Sequence, residues 1–168
     1  MGLLTVQEAL YASSNIGIAK VILDAYKDND NCKYKYEQYI KRLDKMGIMD
    51  NRSMELDGAQ EPMVIAPKAE FTFATMSYGY FAELPPIYTI RFYNAIANDG
   101  KMMKPYLCKT IKRGNKIIHN TKPEVIRDKI CSDGVLADIR EALKNVVWSD
   151  KEVLFEGDQK MHKIATGR

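Results

Sequence analysis

The sequence has few cysteines and histidines, the side chains from which zinc sites are built. Its three cysteines, Cys32, Cys108 and Cys131, are widely spaced, and neither of its two histidines, His119 and His162, has a second ligand nearby. Zinc sites and disulfide frameworks leave short, regular spacings between such residues. Because none occurs, we expect no metal, no cofactor and no disulfide framework, while one cysteine pair is neither required nor excluded.

Long apolar runs are also missing. A helix that crosses a membrane needs about 18 or more consecutive apolar residues, and the sequence contains no such run. The first residues do not form a signal peptide, because Glu8 interrupts them and no basic segment precedes them. Since a capped helix is predicted almost at residue 1, we expect the chain to have been cut from something longer.

Neither sign of charge dominates the composition. There are 25 lysines and arginines against 22 acidic residues, which gives a net charge of +3. Proteins that bind nucleic acids usually concentrate basic residues in a stripe. Here the basic residues are scattered and are best explained as solvated faces, so we expect no nucleic-acid partner.

The sequence does contain the signals of one folded domain. With 168 residues, 46% of them apolar and 28% charged, it can bury a core. Thr5 and Glu8 form a capping box, which predicts a short helix to about Tyr11. The segment Ser13–Gly17 then predicts a break and a new N-cap, because its side chains compete for backbone hydrogen bonds.

Hydrophobic periodicity predicts further helices and little strand, which indicates an α+β fold that is mostly helical. The last helix is expected to be capped by Asp133. Further helices are predicted at residues 16–26, at 34–46 with Gly47 as the stop, from Pro85-Pro86 to a stop at Asp99-Gly100, and at 133–147. A hairpin is predicted at 106–119 with its turn at Arg113-Gly114-Asn115, and a strand at 162–165. The predicted inner face of the helix that Pro85-Pro86 opens consists of Ile87, Ile90, Tyr93, Asn94 and Ala97.

Three blocks of the sequence form an ordered set: Leu4–Leu10 with Ser13–Gly17, Ala74–Tyr80, and Tyr93–Lys101 with Lys104–Leu107. Together they resemble the transpeptidase domain of class B penicillin-binding proteins. A short motif such as S-x-N occurs by chance, but these blocks follow the order and near spacing of that family, and the resemblance covers the chain from Leu4 to about Val147.

The resemblance implies a fold and a chemistry. The fold is that of β-lactamase-like serine acyltransferases, to which this chain would supply the helical subdomain, a hairpin and an incomplete sheet. The chemistry is acyl transfer by the serine of an S-x-x-K motif. Within the S-x-N motif, Ser13 would relay a proton and Asn15 would orient the substrate amide. The alternative is that both residues only cap and break a helix.

The S-x-x-K motif itself does not occur. None of the six serines has a lysine three residues later; they are Ser13, Ser14, Ser53, Ser77, Ser132 and Ser149. In the family this motif lies upstream of S-x-N. We therefore expect residues 1–168 to be a partial transpeptidase domain without its nucleophile, and by itself inactive.

The third family motif, K-T-G, is imperfect in this chain. Thr166-Gly167 matches its T-G, which leaves Ala165 at the lysine position. Alternatively Arg168 supplies the cation, or Lys163 lies slightly out of register. We prefer a truncated strand in which Thr166, Gly167 and Arg168 contact the substrate.

The resemblance also implies partners and a location. The parent protein would act on peptidoglycan stem peptides, bind β-lactams and work outside the cytoplasmic membrane in cell-wall growth or division, anchored to that membrane. An incomplete sheet leaves unpaired strand edges, so we expect either self-association through these edges or a compact rearrangement. The alternatives are a non-catalytic scaffolding module, a class D β-lactamase or sensor, which Asn15 disfavours because those carry S-x-V, and an unrelated helical domain.

Overall fold

The computed structural model describes residues 4–28, 30–50 and 60–148. Within them the chain forms six helices and six short strands, which confirms the α+β, mostly helical prediction. The elements are α1 (Val6–Tyr11), α2 (Asn15–Ala25), α3 (Cys32–Lys45), β1 (Met63–Val64), α4 (Glu70–Met76), β2 (Ala82–Glu83), α5 (Pro86–Ala97), β3 (Met102–Met103), β4 (Thr110–Arg113), β5 (Lys116–Asn120), β6 (Val125–Arg127) and α6 (Asp133–Trp148).

The strands pair two by two, and every pair is antiparallel. In the described part of the chain, β1 pairs with β2, β3 with β6, and β4 with β5, so no larger sheet forms there. The β4–β5 pair is the predicted hairpin. Gly114, with φ +60°, opens its two-residue loop, which is the position that glycine takes in a type II′ turn.

The chain divides into two compact units. The first takes in the described parts of Met1–Tyr36, Ala66–Phe81 and Ala137–Arg168, and the second takes in those of Glu37–Ile65 and Ala82–Leu136. No helix of the described residues is both long and apolar enough to span a membrane.

The first unit has its centre on α4, a helix that the periodicity did not predict because seven residues are too few to show a repeat. Four consecutive residues, Phe73 to Met76, are buried. The ring of Phe73 meets that of Tyr26 edge to face, with 5.5 Å between the ring centres. Such pairs contribute about 0.5–1.5 kcal/mol beyond their buried area.

A buried lysine links α3 to α4 in this unit. The side chain of Lys35 is 3% exposed, and its Nζ lies 2.6 Å from Oε1 of Glu70, which is 60% exposed. The hydrogen bond that Lys35 donates to the Glu70 carboxylate raises the pKa of Lys35, although burial acts in the opposite direction. Lys35 is therefore charged at neutral pH, and the pair satisfies an ammonium that burial alone would penalise.

The second unit is organised around the C-terminal end of α3. Gly47, with φ +77°, ends this helix as predicted, and the N–H of Ile48 donates to the carbonyl of Leu43 at 3.1 Å. The guanidinium of Arg91 donates to the carbonyl oxygens of Gly47 and Asp50, at 3.0 and 2.8 Å. A cation at this end of a helix also complements the helix dipole.

The predicted inner face of α5 is wrong. The residues that this helix buries are Tyr88, Arg91, Ala95 and Ile96. The predicted face lies nearly opposite: Ile90, Tyr93, Asn94 and Ala97 are exposed and Ile87 is half-buried. The physical reason is Arg91. An arginine is expected to face solvent, but the carbonyls of Gly47 and Asp50, in the turn after α3, and the ring of Tyr88 hold this one in the interior.

The cap of α6 differs from the prediction by one residue. Ser132, and not Asp133, precedes the helix, and its Oγ accepts a 3.4 Å hydrogen bond from the N–H of Val135. Asp133 is the first helical residue and pairs with Lys129. Serine and aspartate are about equally favourable as N-caps, so the sequence alone does not decide between two such residues next to each other. The predicted strand at 162–165 lies outside the described residues.

Candidate functional site

The S-x-N candidate lies in the tight turn between α1 and α2. Helix α1 begins with the predicted capping box, in which Thr5 and Glu8 bond each other's backbone N–H groups. It ends in a Schellman motif: the N–H of Ser14 donates to the carbonyl of Ala9 at 2.9 Å, and that of Ser13 to Leu10 at 3.0 Å. The end of α1 and the start of α2 thus meet at the S-x-N segment.

Ser13 occupies the left-handed position of this motif. Its φ is +52°, whereas helices that end in this way usually place glycine there because it has no Cβ. A non-glycine residue in this conformation costs about 1–2 kcal/mol. The chain therefore holds a serine at a position where its backbone is strained.

The capping of α2 falls to Ser14. Its Oγ accepts a 3.1 Å hydrogen bond from the N–H of Gly17, and Asn15 is the first residue of the helix. Both Ser13 and Asn15 are exposed. Among the described residues, no group forms a hydrogen bond to the Ser13 hydroxyl or to the Asn15 amide. The backbone of Ser13 and the side chain of Ser14 thus make the expected break between the helices. The side chains of Ser13 and Asn15 take no part in it.

Close packing of the two helices fixes the turn. A Cβ built on Gly17 would lie 2.7 Å from Cβ of Ala9, which is itself buried. Real Cβ atoms do not approach so closely, so a larger residue would push α1 away from α2. Gly17 thereby holds Ser13 and Asn15 in a defined relation to both helices.

The other predicted site residues are not placed. Thr166, Gly167 and Arg168, together with Lys163, lie outside the described residues, so their relation to Ser13 stays a prediction. Within the described ranges, no cluster of three or more histidine, cysteine or acidic side chains could hold a metal ion.

A group of three aromatic residues follows α4 in the same unit, with Tyr80 and Phe81 exposed and Tyr78 half-buried. The sequence analysis included Tyr78 and Tyr80 in a family block but gave neither a role. Tyr78 and Tyr80 meet edge to face with ring centres 5.6 Å apart, and Phe81 lies 6.5 Å from Tyr80. Gly79 at φ +105° and Phe81 at φ +59° form the turn that presents the rings. Three aromatic residues within four positions were the signal that could have indicated this surface.

One prediction concerns the strain at Ser13. Ser13→Gly is expected to raise the free energy of unfolding by a few tenths to about 1 kcal/mol, because the relief of strain exceeds the extra entropy of glycine in the unfolded chain. Ser77→Gly is the matched control: Ser77 ends α4 at φ −63°, where glycine brings no relief and loses the hydroxyl bond to Ala74. Urea unfolding of both variants checks this, and equal destabilisation would contradict it.

A model of the penicillin-binding protein transpeptidase domain matches residues 1–162. No curated protein matches the chain. Among solved structures, penicillin-binding protein 2B from Streptococcus pneumoniae strain R6 is similar with a TM-score of 0.75 at 17% identity, over 89% of this chain and 26% of that one.

Two further structures resemble the chain. A peptidoglycan glycosyltransferase from Burkholderia ambifaria has a TM-score of 0.64 at 23% identity, over 89% of this chain and 42% of its own. Penicillin-binding protein 3 from Mycobacterium tuberculosis, complexed with aztreonam, has a TM-score of 0.64 at 23% identity, over 87% of this chain and 31% of its own.

At these identities the structural likeness shows a common fold. This chain spans 26–42% of the length of the three structures. The family model matches almost all of the sequence, and the chain therefore belongs to the penicillin-binding protein transpeptidase domain family.

Proposed function

We propose that this chain is the part of a peptidoglycan D,D-transpeptidase that contributes the S-x-N motif, with Ser13 and Asn15 as its functional side chains. One observation carries the proposal: both side chains are exposed and without hydrogen-bond partners in the described chain, while Ser14 does the capping. Backbone strain that persists at a polar residue is typical of functional sites. A purely structural turn would be served better by glycine at residue 13.

The proposed chemistry is acyl transfer between stem peptides. The serine of an S-x-x-K motif attacks the carbonyl of the penultimate D-alanine, the terminal D-alanine leaves, and an amine of a second peptide then displaces the serine. The Ser13 hydroxyl would accept and return a proton during these steps. The Asn15 amide would donate to the substrate peptide carbonyl and orient it for attack.

The substrates and the location belong to the same proposal. The similar protein from Mycobacterium tuberculosis was solved in complex with aztreonam, a β-lactam. β-Lactams and stem peptides are therefore the ligands proposed for the domain of which residues 1–168 form a part. The work of such a domain, cross-linking the cell wall during elongation or division, is done outside the cytoplasmic membrane.

A second candidate is a non-catalytic binding or scaffolding module. The absence of any S-x-x-K in the sequence favours it for this chain taken by itself. Both candidates retain the fold, and they differ in whether a nucleophile is supplied from elsewhere. In either case we propose that the chain alone is inactive. Self-association through strand edges stays a prediction.

Binding of a substrate analogue tests the role of the motif. Diacetyl-L-Lys-D-Ala-D-Ala, titrated into the ¹⁵N-labelled chain, should shift the amide signals of residues 13–17. The L-Ala-L-Ala diastereomer should leave them unchanged. Asn15→Ala should weaken binding about 2- to 10-fold, the value of one hydrogen bond.

The control for this titration is another exposed asparagine. Asn94 lies on α5 in the second unit, so Asn94→Ala should leave binding unchanged. Equal shifts with both diastereomers, or equal losses in both variants, would contradict the assignment of Asn15 to the substrate.

A further inference from the structure

The basic residues of this chain are not scattered evenly, as first expected, but are concentrated around the β4–β5 hairpin. Between Gly100 and Glu124 there are seven lysines and arginines and no acidic residue. The rest of the chain keeps 18 of the 25 basic residues and all 22 acidic ones. A chain with a net charge of only +3 therefore contains one strongly basic segment, and the hairpin lies within it.

The hairpin is exposed at every residue except Thr110, which is half-buried. Every residue from Ile111 to Asn120 is exposed, including Ile111, Ile117 and Ile118, which are 45%, 56% and 53% exposed. In the described part of the chain no third strand pairs with either β4 or β5, so both outer edges have free backbone groups. An isolated two-stranded ribbon is of marginal stability, and free edges invite another strand.

Apolar and basic side chains alternate on both faces of this ribbon. Ile111 lies opposite His119, and Lys112 lies opposite Ile117. Successive residues of a strand point to opposite faces, so Ile111 and Lys112 lie on different faces. Ile117, as the partner of Lys112, shares the face of Lys112 and therefore lies on the face opposite to Ile111. No acidic residue of the described chain pairs with Lys112, Arg113 or Lys116. Each face thus offers an isoleucine beside uncompensated positive charge.

This pattern discriminates among the possible partners. A lipid surface would contact one face and leave the isoleucine of the other face exposed to water. A second copy would bring two basic ribbons together, and like charges on neighbouring strands are destabilising. A strand added at the edge presents side chains to both faces at once, which matches isoleucines on both.

We propose that the outer edge of β5, Lys116–Asn120, accepts an extended acidic segment of a partner protein by β-strand addition. Backbone hydrogen bonds hold the added strand, Ile117 and Ile118 pack against its apolar residues, and its carboxylates pair with the lysines and Arg113. This interaction surface lies in the second unit and is independent of the proposed role of the S-x-N motif, which lies in the first.

A designed peptide tests the proposal. The probe is a nine-residue fluorescent peptide of glutamate, valine and threonine, and its control is the same peptide N-methylated at alternate residues. The control keeps every charge and side chain but cannot pair along one edge. Fluorescence anisotropy should show binding of the first and about tenfold or greater weakening for the second. Equal binding of the two would overturn strand addition in favour of plain electrostatic adsorption.

Charge variants of the full chain locate the surface. Lys112→Glu with Lys116→Glu should weaken binding about tenfold or more, and the effect should shrink at high salt. The matched control, Lys20→Glu with Lys33→Glu, changes the same net charge at exposed helix positions and should leave at least half of the affinity. Equal losses in both pairs would overturn the proposal. So would tighter binding to phosphatidylglycerol vesicles than to the peptide, or dimerisation that the Lys112 and Lys116 changes abolish.

Discussion

A fluorescent penicillin is expected to leave this chain without a covalent label. β-Lactams acylate the serine of S-x-x-K, and none of the serines in the sequence has a lysine three residues later. Ser13, exposed at the turn, has no base within hydrogen-bond reach among the described residues, so its hydroxyl keeps the weak nucleophilicity of an ordinary alcohol. Loss of a nucleophilic serine removes on the order of a million-fold in rate.

The measurement is incubation with the labelled drug, followed by a denaturing gel and intact-mass spectrometry. A complete penicillin-binding protein in the same experiment is the positive control, and excess unlabelled penicillin should block its labelling. A stoichiometric, blockable adduct on this chain would contradict the prediction. Peptide mapping would then identify the attacking serine, and the assignment of Ser13 to proton relay would have to be abandoned if the adduct were there.

The elements that could be predicted from the sequence are those with local physical causes. The capping box at Thr5 and Glu8, the break at Ser13–Gly17, the stop at Gly47 and the Gly114 turn each depend on neighbouring residues alone. Helix ends and tight turns have few conformations, and each demands particular side chains. For that reason these features agree with the structure to within a residue or two.

The elements that failed depend on distant contacts. Arg91 is buried because carbonyls 41 and 44 residues away accept its hydrogen bonds, and no pattern within α5 contains that information. Lys35 is buried for the same kind of reason, since Glu70 lies 35 residues further along the chain. A periodicity that assigns charged residues to solvent must misplace a helix whose buried face includes an arginine.

The candidate site was predicted from a motif and not from the physics of the turn. Composition and capping rules gave Ser13 and Asn15 only a structural role, and the ordered family blocks made them functional candidates. Neither the capping rules nor the family blocks indicated the strained φ of +52° at Ser13 or the capping of α2 by Ser14, and the structure adds both. A left-handed serine cannot be distinguished in sequence from any other helix-capping serine.

Replacement of Arg91 by alanine is expected to lower the free energy of unfolding by about 2–4 kcal/mol, the largest stability change predicted for this chain. The guanidinium donates to two carbonyls in the turn that follows α3, those of Gly47 and Asp50, and its Cζ lies 4.6 Å from the ring centre of Tyr88. Alanine removes one hydrogen bond from each carbonyl, so that the buried carbonyl of Gly47 keeps only the 3.3 Å bond from the N–H of Asp50. It also removes the cation–π contact and creates a cavity.

Two further variants separate these contributions in urea unfolding. Arg91→Lys keeps the charge but not the planar fork, so it should recover about half of the loss. Arg113→Ala removes an exposed arginine at the hairpin turn and should change stability by about 0.5 kcal/mol or less. If Arg91→Ala were no more destabilising than Arg113→Ala, the end of α3 would not depend on this guanidinium. The burial of Arg91 would then come from the helix around it, and the error in the predicted face of α5 would need a different cause.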